Sequence, residues 1–323
     1  MQKLRLGRTD IEVTPVGLGC WQFSQGASWM SRVWDAVSPE VITSIVDTAL
    51  KGGVSWFDTA EAYGNGKSEQ NLAAALSKLG VQPGSVVVAT KWFPLFRTSR
   101  SIPATIDTRL ACLGGYPIDL YQIHQPWSWS AIPAQLREMA KLLRAGKVRA
   151  IGVSNFSARQ MERAHAVLAS EGIVLASNQV RFNLLDRSIE RNGLMATAKK
   201  LGVTIIAWSP LAQGVLTGRF HDEPSLLQKL APMRRMMGRL GPTGLARSRP
   251  LIDELRLIAR AHGVSVAQAA LAWTVSFHGD AVAAIPGATK AAQAEQSAAA
   301  MAVRLSDKER ARIDEVSRGV GRR

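Results

Sequence analysis

Short runs of β-branched and apolar residues alternate along the chain with longer stretches in which apolar residues recur every three or four positions. Eight of the short runs read as strands: Val16–Cys20, Val54–Asp58, Val86–Lys91, Ile118–His124, Ala150–Ser154, Ala176–Val180, Thr204–Trp208 and Val282–Pro286. Between them the helical period predicts helices over Pro39–Lys51, Ser68–Leu79, Ile102–Leu113, Ala131–Ala145, Ser157–Ser170 and Ser188–Leu201. Start and stop signals agree with several of these bounds, as where Ser38-Pro39 opens a helix that Gly52 ends, or where Ser157 precedes Ala158. Strands that are apolar almost throughout are buried on both faces, and a helix after each one implies parallel pairing.

Eight such units predict an α/β chain folded as a (β/α)8 TIM barrel, one domain over residues 1–323, with a doubly wound sheet as the alternative. Leu4–Val13, turning around Gly7-Arg8-Thr9-Asp10, reads as a hairpin across one end. The alternation lapses late, in an irregular stretch from Gln213 to Pro250 and a helix pair, Leu251–His262 and Val266–Phe277, before the last strand. Long loops at the C-terminal face of a barrel act as lids or flaps. Ser306-Asp307 with Glu309 opens a final helix, Ser306–Ser317.

Composition narrows the function classes. With 323 residues, 46% hydrophobic, the chain has apolar material for a large core. It lacks an apolar run of membrane-spanning length, and its start, MQKLRLGRTD, lacks a signal-peptide pattern, so a cytoplasmic protein without membrane association is expected. Cys20 and Cys112 read as core residues, and no spacing suggests a metal site. A net charge of +15 raises nucleic-acid binding, yet the cations are dispersed and no nucleic-acid motif accompanies them. Their densest cluster, Met233–Arg239 with Arg247 and Arg249, reads either as a solvated loop or as a flap that attracts cofactor phosphates.

The chemistry lies at the ends of the predicted strands. Asp58, Lys91 and His124 close or follow three of them, with Tyr63 just beyond the second, where a parallel barrel places catalytic groups. A phenol with an ordinary pKa of about 10 needs a neighbouring cation to serve as an acid near neutrality. Tyr63 would donate a proton to a carbonyl oxygen, Lys91 would lower the phenol pKa, Asp58 would hold Lys91, and a neutral His124 would bind the carbonyl oxygen. Ser154, Asn155 and Gln179 offer groups for a carboxamide, and Trp208 a flat face for a nicotinamide ring.

These residues sit in the segments GLGCW, FDTAEAYGNGKSE, ATKW, DLYQIHQP, IGVSNF, NQVRFN, WSPLAQGVLTGRF and IPGATK. Over essentially its whole length the chain resembles the aldo-keto reductase superfamily. The resemblance implies a barrel that binds an extended nicotinamide dinucleotide without a Rossmann domain. It places Ser209, Pro210, Leu211 and Gly214 around the pyrophosphate with Arg219 as charge partner, and Gly287, Thr289, Lys290 and Gln293 at the adenosine end. NADP-preferring relatives often carry an arginine at that helix start and a Glu-Asn pair further on, where this chain has Thr289, Lys290, Gln293, Gln296 and Ser297. NADPH is the expected cofactor, with NADH as the alternative. Aromatic residues near the mouth, Trp21, Phe23, Trp29, Trp34, Trp92, Phe93, Trp127 and Trp129, imply a pocket for aldehydes or ring-bearing ketones. The expected activity is NADPH-linked carbonyl reduction of a small-molecule substrate. The alternatives are an NAD-linked sugar or polyol dehydrogenase and a cofactor-binding regulatory subunit.

Overall fold

The computed structural model describes residues 3–24, 36–238 and 240–320, so Trp29, Trp34 and Arg239 lie outside the described residues. The chain begins with a two-stranded antiparallel hairpin, β1 (Leu4–Arg5) and β2 (Glu12–Val13). Eight parallel strands follow in chain order: β3 (Leu18–Gly19), β4 (Trp56–Asp58), β5 (Val87–Trp92), β6 (Ile118–Ile123), β7 (Val148–Ser154), β8 (Leu175–Arg181), β9 (Thr204–Trp208) and β10 (Val282–Ala284). Parallel bridges Val16–Ala284 and Gly19–Gly287 join the first strand to the last and close the (β/α)8 barrel.

Successive side chains on a strand face opposite ways, so each strand supplies both the barrel interior and the layer under the helices. The interior is a small cluster of Trp56, Ala89, Leu120, Ala150, Ala176, Ile206 and Ala283 that continues into Leu4, Leu6, Ile11 and Val13, so the hairpin plugs the N-terminal end. Trp56 fills much of this space and donates from Nε1 to the Thr14 carbonyl at 2.9 Å. Glycine at 17 is required by that packing, because a Cβ there would stand 2.3 Å from the Trp56 ring.

Helices occur where the pattern placed them, with three departures. Ser188–Leu201 is two helices, Ser188–Arg191 and Leu194–Leu201, because Gly193 between them has φ 82°. The segment after β9 is built of short helical turns, Ala212–Thr217, Arg219–Asp222, Pro224–Lys229 and Pro232–Gly238. The next helix runs over Pro242–Ala261 and contains Pro250, where a boundary was expected. A proline inside a helix removes one hydrogen bond. Here the loss is offset by burial of Leu245, Leu251, Ile252, Leu255 and Ile258. Among the described residues no helix is long and apolar enough to cross a membrane.

Candidate active site

The interior alternation carries Asp58 on β4, Lys91 and Ala89 on β5, and Gln122 and Leu120 on β6 to the same side, so polar groups gather at the C-terminal mouth above the apolar plug. Lys91 Nζ donates to Asp58 Oδ1 at 2.5 Å, to the Thr59 carbonyl at 2.8 Å and to Tyr63 Oη at 3.4 Å, which uses all three of its protons. The other oxygen of Asp58 accepts from Gln179 Nε2 at 2.8 Å and Gln122 Nε2 at 3.2 Å. Both members of this ion pair are fully buried, and buried charges persist only when paired and hydrogen-bonded.

The electrostatics differ from expectation at Tyr63. Burial lifts the phenol above its ordinary value; Lys91 opposes this and Asp58 adds to it, so the net shift is upward. Lys91 therefore offsets burial instead of bringing the phenol down. Burial also works against the charge on Lys91, but Asp58 and Tyr63 outweigh it and raise its pKa. His124 is driven well below the usual histidine range, first by burial and then by Lys91, and stays neutral. Its ring meets Tyr63 edge-on with centroids 5.7 Å apart, and Nδ1 is buried without a hydrogen-bond partner among the described residues.

Next to this group lies a second polar chain. Ser154 Oγ donates to the Gln179 carbonyl at 2.8 Å, Asn155 Nδ2 to the His124 carbonyl at 3.2 Å, and Trp208 Nε1 to Asn155 Oδ1 at 3.1 Å. Asn155 adopts φ 61°, a strained position of the kind that clusters at functional sites. Beyond Trp208 the chain turns sharply through Ser209-Pro210-Leu211, with left-handed residues at Ser209, Ala212, Gln213 and Gly214. Asn183 Nδ2 anchors the turn at the Ser209 carbonyl.

Two cations border this region, Arg181, which the sequence reading did not single out, and Arg234, from the basic cluster read as a solvated loop or a phosphate-attracting flap. The Arg181 guanidinium lies 5.8 Å from the Trp208 ring, and Arg234 Nη2 reaches the Gln213 carbonyl at 3.3 Å, so the basic segment folds back onto the turn. Arg219, the expected charge partner, is exposed, with its guanidinium over the Phe220 ring. At the far end Lys290 is exposed just before the helix Ala291–Ala299. Gln293 Oε1 accepts from Thr289 N at 2.8 Å and so shapes the turn before that helix. A Cβ at Gly287 would stand 2.3 Å from Gln22 Oε1, so the Gln22 amide would have to move to admit one. Read outward, the donors change from amides and a hydroxyl to an indole and then to cations, an order that fits a carboxamide, a flat ring and phosphates.

Of the expected substrate contacts, Trp21 stacks on Tyr63 with centroids 6.0 Å apart, and Trp127 meets Phe93, which in turn meets His124. Phe23 and Trp92 belong to the core and are fully buried. Alternation explains Trp92: Lys91 faces the barrel, so its neighbour faces the helices, where Trp92 Nε1 donates to Ser101 Oγ at 3.0 Å.

The opposite face of β5 carries a buried charge cluster that the motifs did not reveal. Glu61 accepts from the Phe93 backbone N–H and from Arg97, while Glu69 accepts from Arg109 Nη1 at 2.5 Å and Thr90 Oγ1 at 2.5 Å. Burial pushes the Glu69 carboxyl up to about 7 despite Arg109 and Thr90. A carboxyl raised in the fold holds its proton more tightly there, so its contribution is present below the unfolded value near 4.5 and is lost as pH rises through about 7. Relative to Glu69→Gln, the unmodified chain should lose stability between those limits, on the order of 3 kcal/mol at most. Urea unfolding of both chains across that range checks this, and parallel pH curves would refute it.

The fold is shared with known proteins. The model of the Aldo/keto reductase family matches residues 15–318. An uncharacterized oxidoreductase of Mycobacterium tuberculosis is 37% identical over 316 residues, covering 95% of this chain and 90% of its own. The chloroplastic pyridoxal reductase of Arabidopsis thaliana is 28% identical, covering 97% of this chain and 85% of its own. Among solved structures, a glycerol dehydrogenase from Gluconobacter oxydans superposes with a TM-score of 0.83 at 28% identity, covering 99% of this chain and 97% of its own. The match across nearly every strand and helix of the barrel places this chain in the aldo/keto reductase family, as an NAD(P)H-dependent oxidoreductase of carbonyl compounds.

Proposed function

We propose that the chain reduces an aldehyde or ketone to the alcohol with NADPH, and that Tyr63 is the proton donor. The observation that carries this reading is the position of Tyr63 Oη, 3.4 Å from a lysine that is itself fixed by Asp58. When bound, the reduced nicotinamide supplies the hydride. Ser154, Asn155 and Gln179 would hold its carboxamide, Trp208 would face its ring, and Ser209–Gly214 with Arg234 would carry the pyrophosphate.

Tyr63 then gives its proton to the carbonyl oxygen as charge develops there, and the Lys91 ammonium stabilises the phenolate left behind. A neutral His124 orients the same oxygen through a ring N–H. Burial holds the phenol pKa above its ordinary value, so Tyr63 carries the proton that reduction consumes, and the Lys91 ammonium limits how weak an acid it becomes. The test is a spectrophotometric panel of aldehydes, ketones, aldoses, pyridoxal and glycerol with both nucleotides in both directions. Faster oxidation of a polyol with NAD than reduction of any carbonyl would move the function to the dehydrogenase reading; no turnover of any aldehyde would favour the regulatory one.

The cofactor preference should be moderate. Lys290, beside the helix N-terminus at Ala291, places a point charge where a 2′-phosphate would sit, without the fork an arginine offers. A partly exposed ion pair contributes on the order of 1 kcal/mol, so NADPH should be favoured over NADH by roughly tenfold. Lys290→Ala is expected to raise the KM for NADPH and leave that for NADH nearly unchanged; equal KM values for both nucleotides in the unmodified chain would sink the assignment.

A further inference from the structure

We propose that Glu61 is a positioning residue for the proton transfer: its carboxylate fixes the loop that carries Tyr63 to the strand that carries Lys91. The inference rests on the carbonyl reading above and on the way the pairing of β4 with β5 ends.

Past Asp58 the two chains keep their parallel register. Thr59 N donates to the Ala89 carbonyl at 2.8 Å, and Glu61 N to the Lys91 carbonyl at 3.3 Å. In a parallel ladder the next bond would run from the Phe93 N–H to the Glu61 carbonyl. That carbonyl has turned away and accepts from Gly66 N at 2.8 Å, which closes the turn around Tyr63. Phe93 N donates to Glu61 Oε1 instead, so the side chain replaces the carbonyl of its own residue. The register thus continues for one more bond while the backbone leaves the sheet.

The turn needs such an anchor. Gly64, Asn65 and Gly66 follow Tyr63 directly with φ of 68°, 54° and 90°, and a turn this rich in glycine is loose without outside contacts. Its far end is held by Ser68, whose N–H donates to the Tyr63 carbonyl at 3.1 Å and whose hydroxyl donates to the Cys20 carbonyl at 2.6 Å. Its near end is held by Glu61, which is 8% exposed; Oε1 also accepts from Arg97, and Oε2 lies 3.9 Å from Arg109 Nε. The 3.4 Å between Tyr63 Oη and Lys91 Nζ is therefore set by a bond to the residue two places beyond Lys91.

Two demands on Glu61 can be separated. The bond to the Phe93 N–H needs an acceptor at full glutamate reach, whereas pairing with Arg97 and Arg109 needs a charge. Glu61→Gln keeps the acceptor and loses the charge. Glu61→Asp keeps the charge and, shorter by one methylene, loses the reach.

The experiment measures reduction of benzaldehyde and of pyridoxal with NADPH by the full chain and both variants, with nucleotide titration by fluorescence as the check on folding. Glu61→Asp should lower kcat roughly 10- to 100-fold, the cost of misplacing a reacting group by about 1 Å, with KM and nucleotide affinity nearly unchanged. Glu61→Gln should stay within about threefold of the unmodified chain, because the anchoring bond survives. In a Tyr63→Phe background Glu61→Asp should cost less than about threefold, since a residue that acts through Tyr63 then has nothing left to position. Unmodified kcat in Glu61→Asp, or the same loss with and without the Tyr63 hydroxyl, would overturn the positioning role. So would a Glu61→Gln chain that binds nucleotide yet loses more than about tenfold in kcat, even if Glu61→Asp does not fold. Failure of the unmodified chain to reduce either aldehyde would instead defeat the carbonyl reading.

Discussion

Tyr63→Phe is expected to slow carbonyl reduction by about 10²–10⁴-fold, the range a positioned general acid contributes, with dinucleotide affinity almost unchanged. The substitution removes one hydroxyl and keeps the ring, so its stack against Trp21 and its edge contact with His124 survive. Lys91 retains Asp58 and the Thr59 carbonyl. The loss should fall on kcat and kcat/KM together, because the proton moves only in the transition state. Steady-state kinetics with nucleotide titration by fluorescence measure both quantities, and wild-type turnover in the variant would remove Tyr63 from the mechanism.

A different pattern is expected for Lys91→Met, where chemistry and stability fail together. The ammonium offsets part of the burial penalty on the phenol, and without it Tyr63 becomes a weaker acid still. Asp58 is left as a fully buried carboxylate with only the amides of Gln179 and Gln122. Breaking a buried pair from one side costs about 3–5 kcal/mol, because the remaining charge has neither water nor a counter-ion. Urea unfolding should therefore show a large loss for Lys91→Met and a small one for Tyr63→Phe, while both lose turnover. Turnover within tenfold of wild type, or unchanged stability, would mean that the pair is not the support of the site.

Much of this was legible in one sequence because it depends on local rules. The eight strands were visible as apolar runs, and all eight are present with ends shifted by a few residues. Asp58, Lys91 and His124 were placed at strand ends by position, and a parallel barrel brings all its strand ends to one face. Trp92 shows where such reading failed: proximity to Lys91 in sequence suggested the pocket, while the two-residue period of a strand sends it to the helix layer. Pro250 failed for the opposite reason, since a local breaker was overruled by the burial of the helix around it.

What the residue pattern determined by itself was the order of elements and the residue types at the barrel mouth, because periodicity and strand-end position are properties of neighbours in the chain. Only the tertiary structure decided the values and the partners. The net rise of the Tyr63 pKa is a contest between burial and a charge delivered by another strand, and its sign cannot be read from residue types alone. The Glu61–Arg97 and Glu69–Arg109 pairs join residues 36 and 40 positions apart through side chains that no motif linked. Arg234 likewise reaches the turn at Gln213 across 21 positions. Such contacts depend on how loops of different strands pack against each other, which local periodicity does not encode.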